Sequence, residues 1–278
     1  MTKSPLEYAQ SAQELCVLPD IYSKLTDMLS KDDCSLDALA EVIELEPAIA
    51  STLLKMANSA MFQFPREIDS IQRALLLIGL KEVSNLVNAY GVTAAFSEID
   101  PSVADMDKFW EISVDCALIC EYLAKEKNVP DTNAIFLSGL FHNLGALAMV
   151  HNAPKEIKYC EEYTSDDTPW QRQKETFGFT YADCSAALLK LWQIPYTIIE
   201  PIREFNHAPT ESVSPAAKLL FVASRLAIIN SHPGMYSKKS FIDAQVLDSL
   251  DITADDIDSA LEHCNVKALE LLAAFPIY

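Results

Sequence analysis

The stretch FWEISVDCALICEYLA, residues 109–124, decides the secondary-structure class of this chain. Its apolar residues recur every three or four positions and therefore share one stripe of an α-helix. They are Phe109, Ile112, Cys116, Ile119 and Leu123. Similar spacing recurs across 188–192 and 219–229, and no Asn-Gly or Asp-Gly pair separates alternating apolar runs. The predicted fold class is therefore all-α.

Helix boundaries can be predicted outward from this stretch, because capping residues and prolines mark where helices begin and end. Starts are expected after Ser4, Ser214, Thr168, Thr180 and Thr253 and at Pro47, and a C-terminal cap is expected at Gly178. We predict about a dozen helices.

The acidic, proline-containing stretch SEIDPSVADMD (97–107) indicates a lobe boundary near residue 105. We expect a multi-helical, two-lobe architecture. Its parts would be an N-terminal helical lobe at 1–105, a second helical lobe at 106–230 and a C-terminal helical extension at 231–278.

Composition limits the classes of partner. The 278 residues carry a net charge of −19, from 40 Asp and Glu against 21 Lys and Arg. This charge repels phosphate backbones and anionic lipid, so we expect neither nucleic-acid nor membrane binding. The N-terminus lacks the apolar core of a signal peptide, and the apolar run ALLLIGL is too short to span a bilayer. Seven cysteines without a C-x-x-C pair favour a reducing cytoplasm.

One polar pair, His142 and Asn143, lies within the apolar, helix-like run FLSGLFHNLGALAMV (136–150). A metal site for phosphate-ester hydrolysis needs neutral imidazoles and ionised carboxylates from several helices, so that the metal can activate a bound water. The pair is either part of such a site or a hydrogen-bonded feature of the core.

Seven ordered stretches over roughly residues 15 to 207 resemble the HDOD domain family, bacterial signalling relatives of the HD-type metal-dependent phosphohydrolases. They are LPDIYSKLTDML, VIELEPAIASTLLKMANSAMF, IDSIQRALLLIGLKEVSNLV, FWEISVDCALICEYLA, AIFLSGLFHNLGALAM, FGFTYADCSAALLKLWQIP and IIEPIREFNH. The resemblance implies an HD-like helical fold and a regulatory role.

The resemblance also implies where the metal ligands of HD-type hydrolases would lie. The first His position holds Ile112, the His-Asp pair is His142-Asn143, and the final Asp position holds Ser224. A further His position of some relatives holds Tyr181. These five residues are called the vestigial HD site below. Only His142 keeps a main ligand, so we expect no bound metal, no other cofactor and no catalysis.

Alternatives remain for individual residues. His142 is either a hydrogen-bonded core residue or a ligand for a divalent metal such as Mn, Fe or Mg. Asp115, one turn beyond Ile112, is either a solvated or capping carboxylate or a rescue ligand for the site. Asn58 and Ser59 either cap a helix end or contact the other lobe.

Three functions are compatible with these residues. The first is a non-catalytic signal-transduction module that binds a signalling protein. The second is a metal-dependent phosphohydrolase with a site rebuilt around His142 and Asp115. The third is a small-molecule sensor that uses the vacated cavity. The loss of ligands favours the first.

Overall fold

The computed structural model describes residues 3–16, 18–31, 34–58, 68–96, 99, 104–209 and 212–272. Within these ranges every regular element is helical, which confirms the all-α prediction. The α-helices are α1 (Pro5–Leu15), α2 (Asp20–Leu29), α3 (Leu36–Glu44), α4 (Pro47–Ala57), α5 (Ile71–Ile78), α6 (Leu80–Ala94), α7 (Met106–Glu126), α8 (Thr132–Phe141), α9 (Leu144–Val150), α10 (Pro154–Glu161), α11 (Pro169–Phe177), α12 (Tyr181–Leu191), α13 (Tyr196–Glu204), α14 (Pro215–Ser231), α15 (Lys238–Phe241), α16 (Ala244–Asp248) and α17 (Ala254–Leu272). A 3₁₀ turn, Phe205–His207, follows α13.

The predicted helix boundaries agree with the structure. The side chains of Ser4, Thr168 and Ser214 each accept a hydrogen bond from the first turn of the helix that follows. Gly178 ends α11 with φ of 83°. The helices outnumber the expected dozen because α15 and α16 are short and because the run 136–150 is interrupted between α8 and α9.

The described chain forms two compact units. The larger unit comprises Met1–Cys16 and Ile99–Ala268, and the smaller unit comprises Val17–Glu98 and Leu269–Tyr278. These units differ from the expected divisions at 1–105, 106–230 and 231–278. Helix α1 belongs to the larger unit because it packs against α9 and α12. Most of the expected C-terminal extension also packs there, and the Lys127 ammonium lies 2.7 Å from the Asp256 carboxylate on α17.

The core of the larger unit surrounds α7. The sequence predicts one buried stripe on this helix, but its buried residues face several directions, from Trp110 to Ala124. Helices α8 and α14 pack against it. A Cβ at Gly139 of α8 would lie 2.7 Å from the Cα of Ala117 on α7, so glycine is what permits the two backbones to approach this closely.

In the smaller unit, Asn58 has a local structural role. Its side-chain amide donates to the carbonyl of Leu54 (2.9 Å) and to that of Ile68 (2.8 Å), and its side-chain oxygen accepts from the backbone N–H of Ile68 (2.7 Å). Asn58 therefore closes the end of α4, as the capping interpretation predicts. Ser59 lies outside the described residues.

The segment Thr132–Val150 is long and apolar enough to cross a membrane, with a mean hydropathy of 1.4. From the sequence alone, only the shorter run ALLLIGL is considered as a candidate membrane span. In the structure 89% of this segment is buried inside the protein, and His142 and Asn143 divide it into two helices. These are properties of core helices in a folded domain.

Candidate functional site

His142 lies at the interruption between α8 and α9 and is buried. Its Nδ1 lies 2.6 Å from the carbonyl oxygen of Gly139, and its ring meets Phe205 edge-on. A carbonyl oxygen can only accept, so Nδ1 carries the proton. Burial, helped by the charge of Arg225 and opposed by the Gly139 hydrogen bond, lowers the pKa of His142 to about 4. At neutral pH the imidazole is therefore uncharged.

A serine that the sequence analysis did not single out fixes this interruption in place. The hydroxyl of Ser185 on α12 accepts a hydrogen bond from the backbone N–H of Gly145 at 2.7 Å. Its single O–H is shared between the carbonyl oxygens of His142 and Tyr181, which each lie 3.0 Å from the hydroxyl oxygen. Ser185 therefore satisfies the backbone groups freed where α8 ends and α9 begins.

Tyr181 is the member of the vestigial HD site that joins α12 to α9. Its backbone N–H donates to the side chain of Gln173 (3.0 Å), and its backbone carbonyl packs against Gly145. Its ring is fully buried near Phe177. Through Ser185 it is linked to the backbone of His142.

The other three members offer no charge to a metal ion. Ile112 is a buried alkyl side chain of α7. Asn143 is half-buried at the start of α9, and an amide carries no charge. Ser224 is fully buried on α14, and its hydroxyl donates to the carbonyl of Phe221 at 3.1 Å.

Arg225, next to Ser224 on α14, was missed by the sequence analysis. The residue is 9% exposed, and its Nη1 donates to the carbonyl of Phe221 (3.1 Å) and to the hydroxyl of Ser224 (3.3 Å). The guanidinium carbon lies 4.2 Å from the ring centre of Trp170 and 3.4 Å from that of Phe221. The signal for it was one charged residue in the otherwise apolar run FVASRLA. This part of the protein thus contains a buried cation of its own.

Asp115 is not a solvated or capping carboxylate, as one interpretation held, because it is 3% exposed. One carboxylate oxygen accepts from the side chain of Asn230 on α14 (2.8 Å), and the other lies 3.1 Å from the thiol of Cys264 on α17. Burial raises its pKa, while these two hydrogen bonds act in the opposite direction. Asp115 therefore joins α7, α14 and α17, and both its oxygens are occupied.

These residues do not fit a divalent metal ion. Among the described residues, no group of three or more His, Cys, Asp or Glu side chains has an arrangement that could hold one. The positive charge of Arg225 acts on His142, the one member of the vestigial HD site that the resemblance matches to a main ligand. A dication there would meet repulsion from the guanidinium instead of attraction from two carboxylates.

Comparison with known proteins agrees with this fold. The chain is similar to a proposed phosphohydrolase of Shewanella amazonensis SB2B, with 23% identity, a TM-score of 0.74 and coverage of 99% of this chain and 98% of that one. It is also similar to a proposed signal transduction protein of Marinobacter aquaeolei VT8, with 19% identity, a TM-score of 0.68 and coverage of 94% and 59%. At these identities, the structural likenesses show a shared fold.

Two curated relatives are much longer than this chain. An uncharacterised protein of Treponema pallidum (strain Nichols) is 24% identical over 215 residues, which are 73% of this chain and 41% of that protein. The uncharacterised protein YuxH of Bacillus subtilis (strain 168) is 26% identical over 137 residues, which are 49% of this chain and 32% of that protein. The chain thus spans less than half the length of either relative.

The family comparison covers most of the chain. The HDOD domain matches residues 15–209, which include both the helices of the smaller unit and the helices that carry His142 and Tyr181. The chain therefore belongs to the HDOD domain family.

Proposed function

We propose that this chain is a non-catalytic regulatory module of the HDOD family that acts by binding a signalling protein. The observation that carries this proposal is the buried guanidinium of Arg225, whose charge acts on His142 at the position where the family resemblance puts a metal ligand. Metal-dependent hydrolysis requires a dication with an activated water, and this position supplies neither carboxylate nor a second imidazole.

An exposed apolar surface of the smaller unit supports the binding of a protein. Leu76 and Leu77 on α5 and Leu80 at the start of α6 are exposed within five consecutive positions, and Leu76 is 71% exposed. Contiguous apolar side chains on a surface are typical of sites where proteins bind each other. We call Leu76, Leu77 and Leu80 the leucine surface.

The remaining properties of the chain suit a protein partner better than a nucleic acid or a membrane. Its net charge of −19 opposes binding to phosphate backbones and to anionic lipid. All seven cysteines are free, which supports a location in the reducing cytoplasm.

Replacing Leu76 by glutamate should abolish partner binding without unfolding the protein, because the side chain is exposed and makes little contact with the core. The immobilised wild-type chain, Leu76→Glu and Leu15→Glu would each be incubated with lysate of the source cells, and retained proteins identified by mass spectrometry. Leu15 is a matched control because it is 59% exposed on α1 of the larger unit.

We expect one specific protein to be retained by the wild type and by Leu15→Glu and to be lost with Leu76→Glu. Equal retention by all three chains would show that the leucine surface is not the binding site. The absence of any specific protein on the wild type would contradict the proposed mode of action.

A further inference from the structure

The guanidinium of Arg225 is a buried cation that forms no ion pair with the described residues. In the described part of the chain, its hydrogen bonds go to a carbonyl and a hydroxyl, and no carboxylate is within ion-pair distance. Trp170 and Phe221 pack against its planar surface. Removing a cation from water is costly unless an opposite charge compensates it, and aromatic rings and neutral oxygens offset only part of that cost.

Two of its three nitrogens have no acceptor among the described residues. Both hydrogen bonds come from Nη1, which leaves Nε and Nη2. The fully buried side-chain nitrogen and oxygen atoms without a partner in the described ranges belong to Ser113, Glu121, Tyr181 and His263. Nε and Nη2 of Arg225 are not in this set, so in the described part of the chain these two atoms are not wholly enclosed. Their edge of the guanidinium carries two parallel N–H donors, the arrangement that binds a carboxylate or phosphate through two oxygens.

Among the described groups that act on the guanidinium, Asp243 carries a negative charge, and His142 and Cys116 are uncharged. Burial lowers the pKa of Arg225 to about 9, so it remains protonated at neutral pH. His142 on α8 is neutral there, and Cys116 on α7 is a buried thiol whose pKa is raised by burial. Asp243, which precedes α16, acts on Arg225 from beyond ion-pair distance and accepts a hydrogen bond from the backbone of Gln245 at 2.8 Å.

We propose that the Nε–Nη2 edge of Arg225 binds an oxyanion, either the carboxylate or the phosphate of a small molecule, beside the vestigial HD site. The bound anion supplies a counter-charge at ion-pair distance, which the described residues do not. This goes beyond the proposed protein-binding function, because it gives the larger unit a ligand site of its own. Binding would stabilise the fold through the buried arginine rather than support hydrolysis.

The test is a titration of the full-length chain with inorganic phosphate and, separately, with acetate, at constant ionic strength set with sodium chloride. Binding is followed by calorimetry and by the rise in melting temperature. The variants are Arg225→Lys, which keeps the charge but loses the paired donors, and the matched control Arg203→Lys, at an exposed arginine that contacts Glu204 and Tyr196.

We expect saturable binding of at least one anion to the wild type and to Arg203→Lys. Affinity should fall by about 10-fold or more in Arg225→Lys, since one charge-assisted hydrogen bond is lost. Preference for phosphate or for acetate would identify the ligand class. Equal affinity in Arg225→Lys, or no binding of either anion by the wild type beyond that of chloride, would overturn the proposal.

A second measurement decides the question if Arg225→Lys does not fold. Wild-type crystals grown without phosphate or carboxylates would be soaked in sodium phosphate or sodium acetate. Density for the anion across Nε and Nη2 of Arg225 is the expected result. Density at other places only, or none, would overturn the proposal without any variant.

Discussion

Replacing Gly145 by alanine should lower the free energy of unfolding by more than about 3 kcal/mol, or prevent folding altogether. A methyl group at Gly145 would overlap the backbone carbonyl oxygen of Tyr181, and it would lie 2.8 Å from the carbonyl carbon and 3.0 Å from the Cβ of Cys184. Backbone atoms cannot rotate away as a side chain can, so α9 and α12 would have to separate. Separation would also break the hydrogen bond from Gly145 to Ser185.

The matched control is Gly178→Ala, measured by the same urea denaturation. Gly178 has a positive φ of 83° but open space around it, so alanine there meets backbone strain without overlap. Strain of this kind costs about 1–2 kcal/mol. A loss for Gly145→Ala no larger than that for Gly178→Ala would mean that α9 and α12 do not approach as closely as the structure has them.

When the pH is lowered from about 7.5 to about 5, the free energy of unfolding should fall by about 2 kcal/mol more in the wild type than in His142→Gln. The pKa of His142 is about 4 in the folded protein, against 6.5 for a histidine side chain exposed to water. The unfolded chain therefore takes up a proton at a higher pH than the folded chain does. The stability from the neutral, buried His142 is fully present above pH 6.5 and is lost as the pH falls toward 4.

Urea denaturation of both proteins at the two pH values measures this difference. The other titrating groups, including His263 and His232, whose pKa values burial also lowers, are present in both proteins and cancel in the comparison. An identical loss of stability in wild type and His142→Gln would show that His142 is exposed to water or pairs with an acid, and would contradict the buried position.

The helical class and the helix starts could be predicted from the sequence because they depend on local interactions. Ser4, Thr168 and Ser214 cap helices through atoms three residues away, and Gly178 ends a helix through its own backbone angle. Because such interactions involve only neighbouring residues, they can be predicted directly from the sequence.

The features that define the site depend on residues far apart in the chain, and the sequence did not reveal them. From the sequence, Asp115 is either a solvated or capping carboxylate or a rescue ligand, and neither alternative includes Asn230 and Cys264, which bind it from two other helices. Neither residue at the interruption, His142 or Asn143, is a glycine or a proline, and the interruption is held by Ser185, 43 residues later. Arg225 is a charged residue in an apolar helix, and only the packing of Trp170 and Phe221 around it shows that it is buried.

We infer that the positive charge acting on His142 is the guanidinium of Arg225 and not a metal ion. The most direct test is the metal content of the full-length chain, measured by mass spectrometry after incubation with manganese, iron or magnesium and removal of free ions by gel filtration. We expect far less than one ion per chain, with no difference between wild type and His142→Ala. A stoichiometric ion in the wild type that is absent from His142→Ala would contradict it and would favour a metal-dependent hydrolase instead.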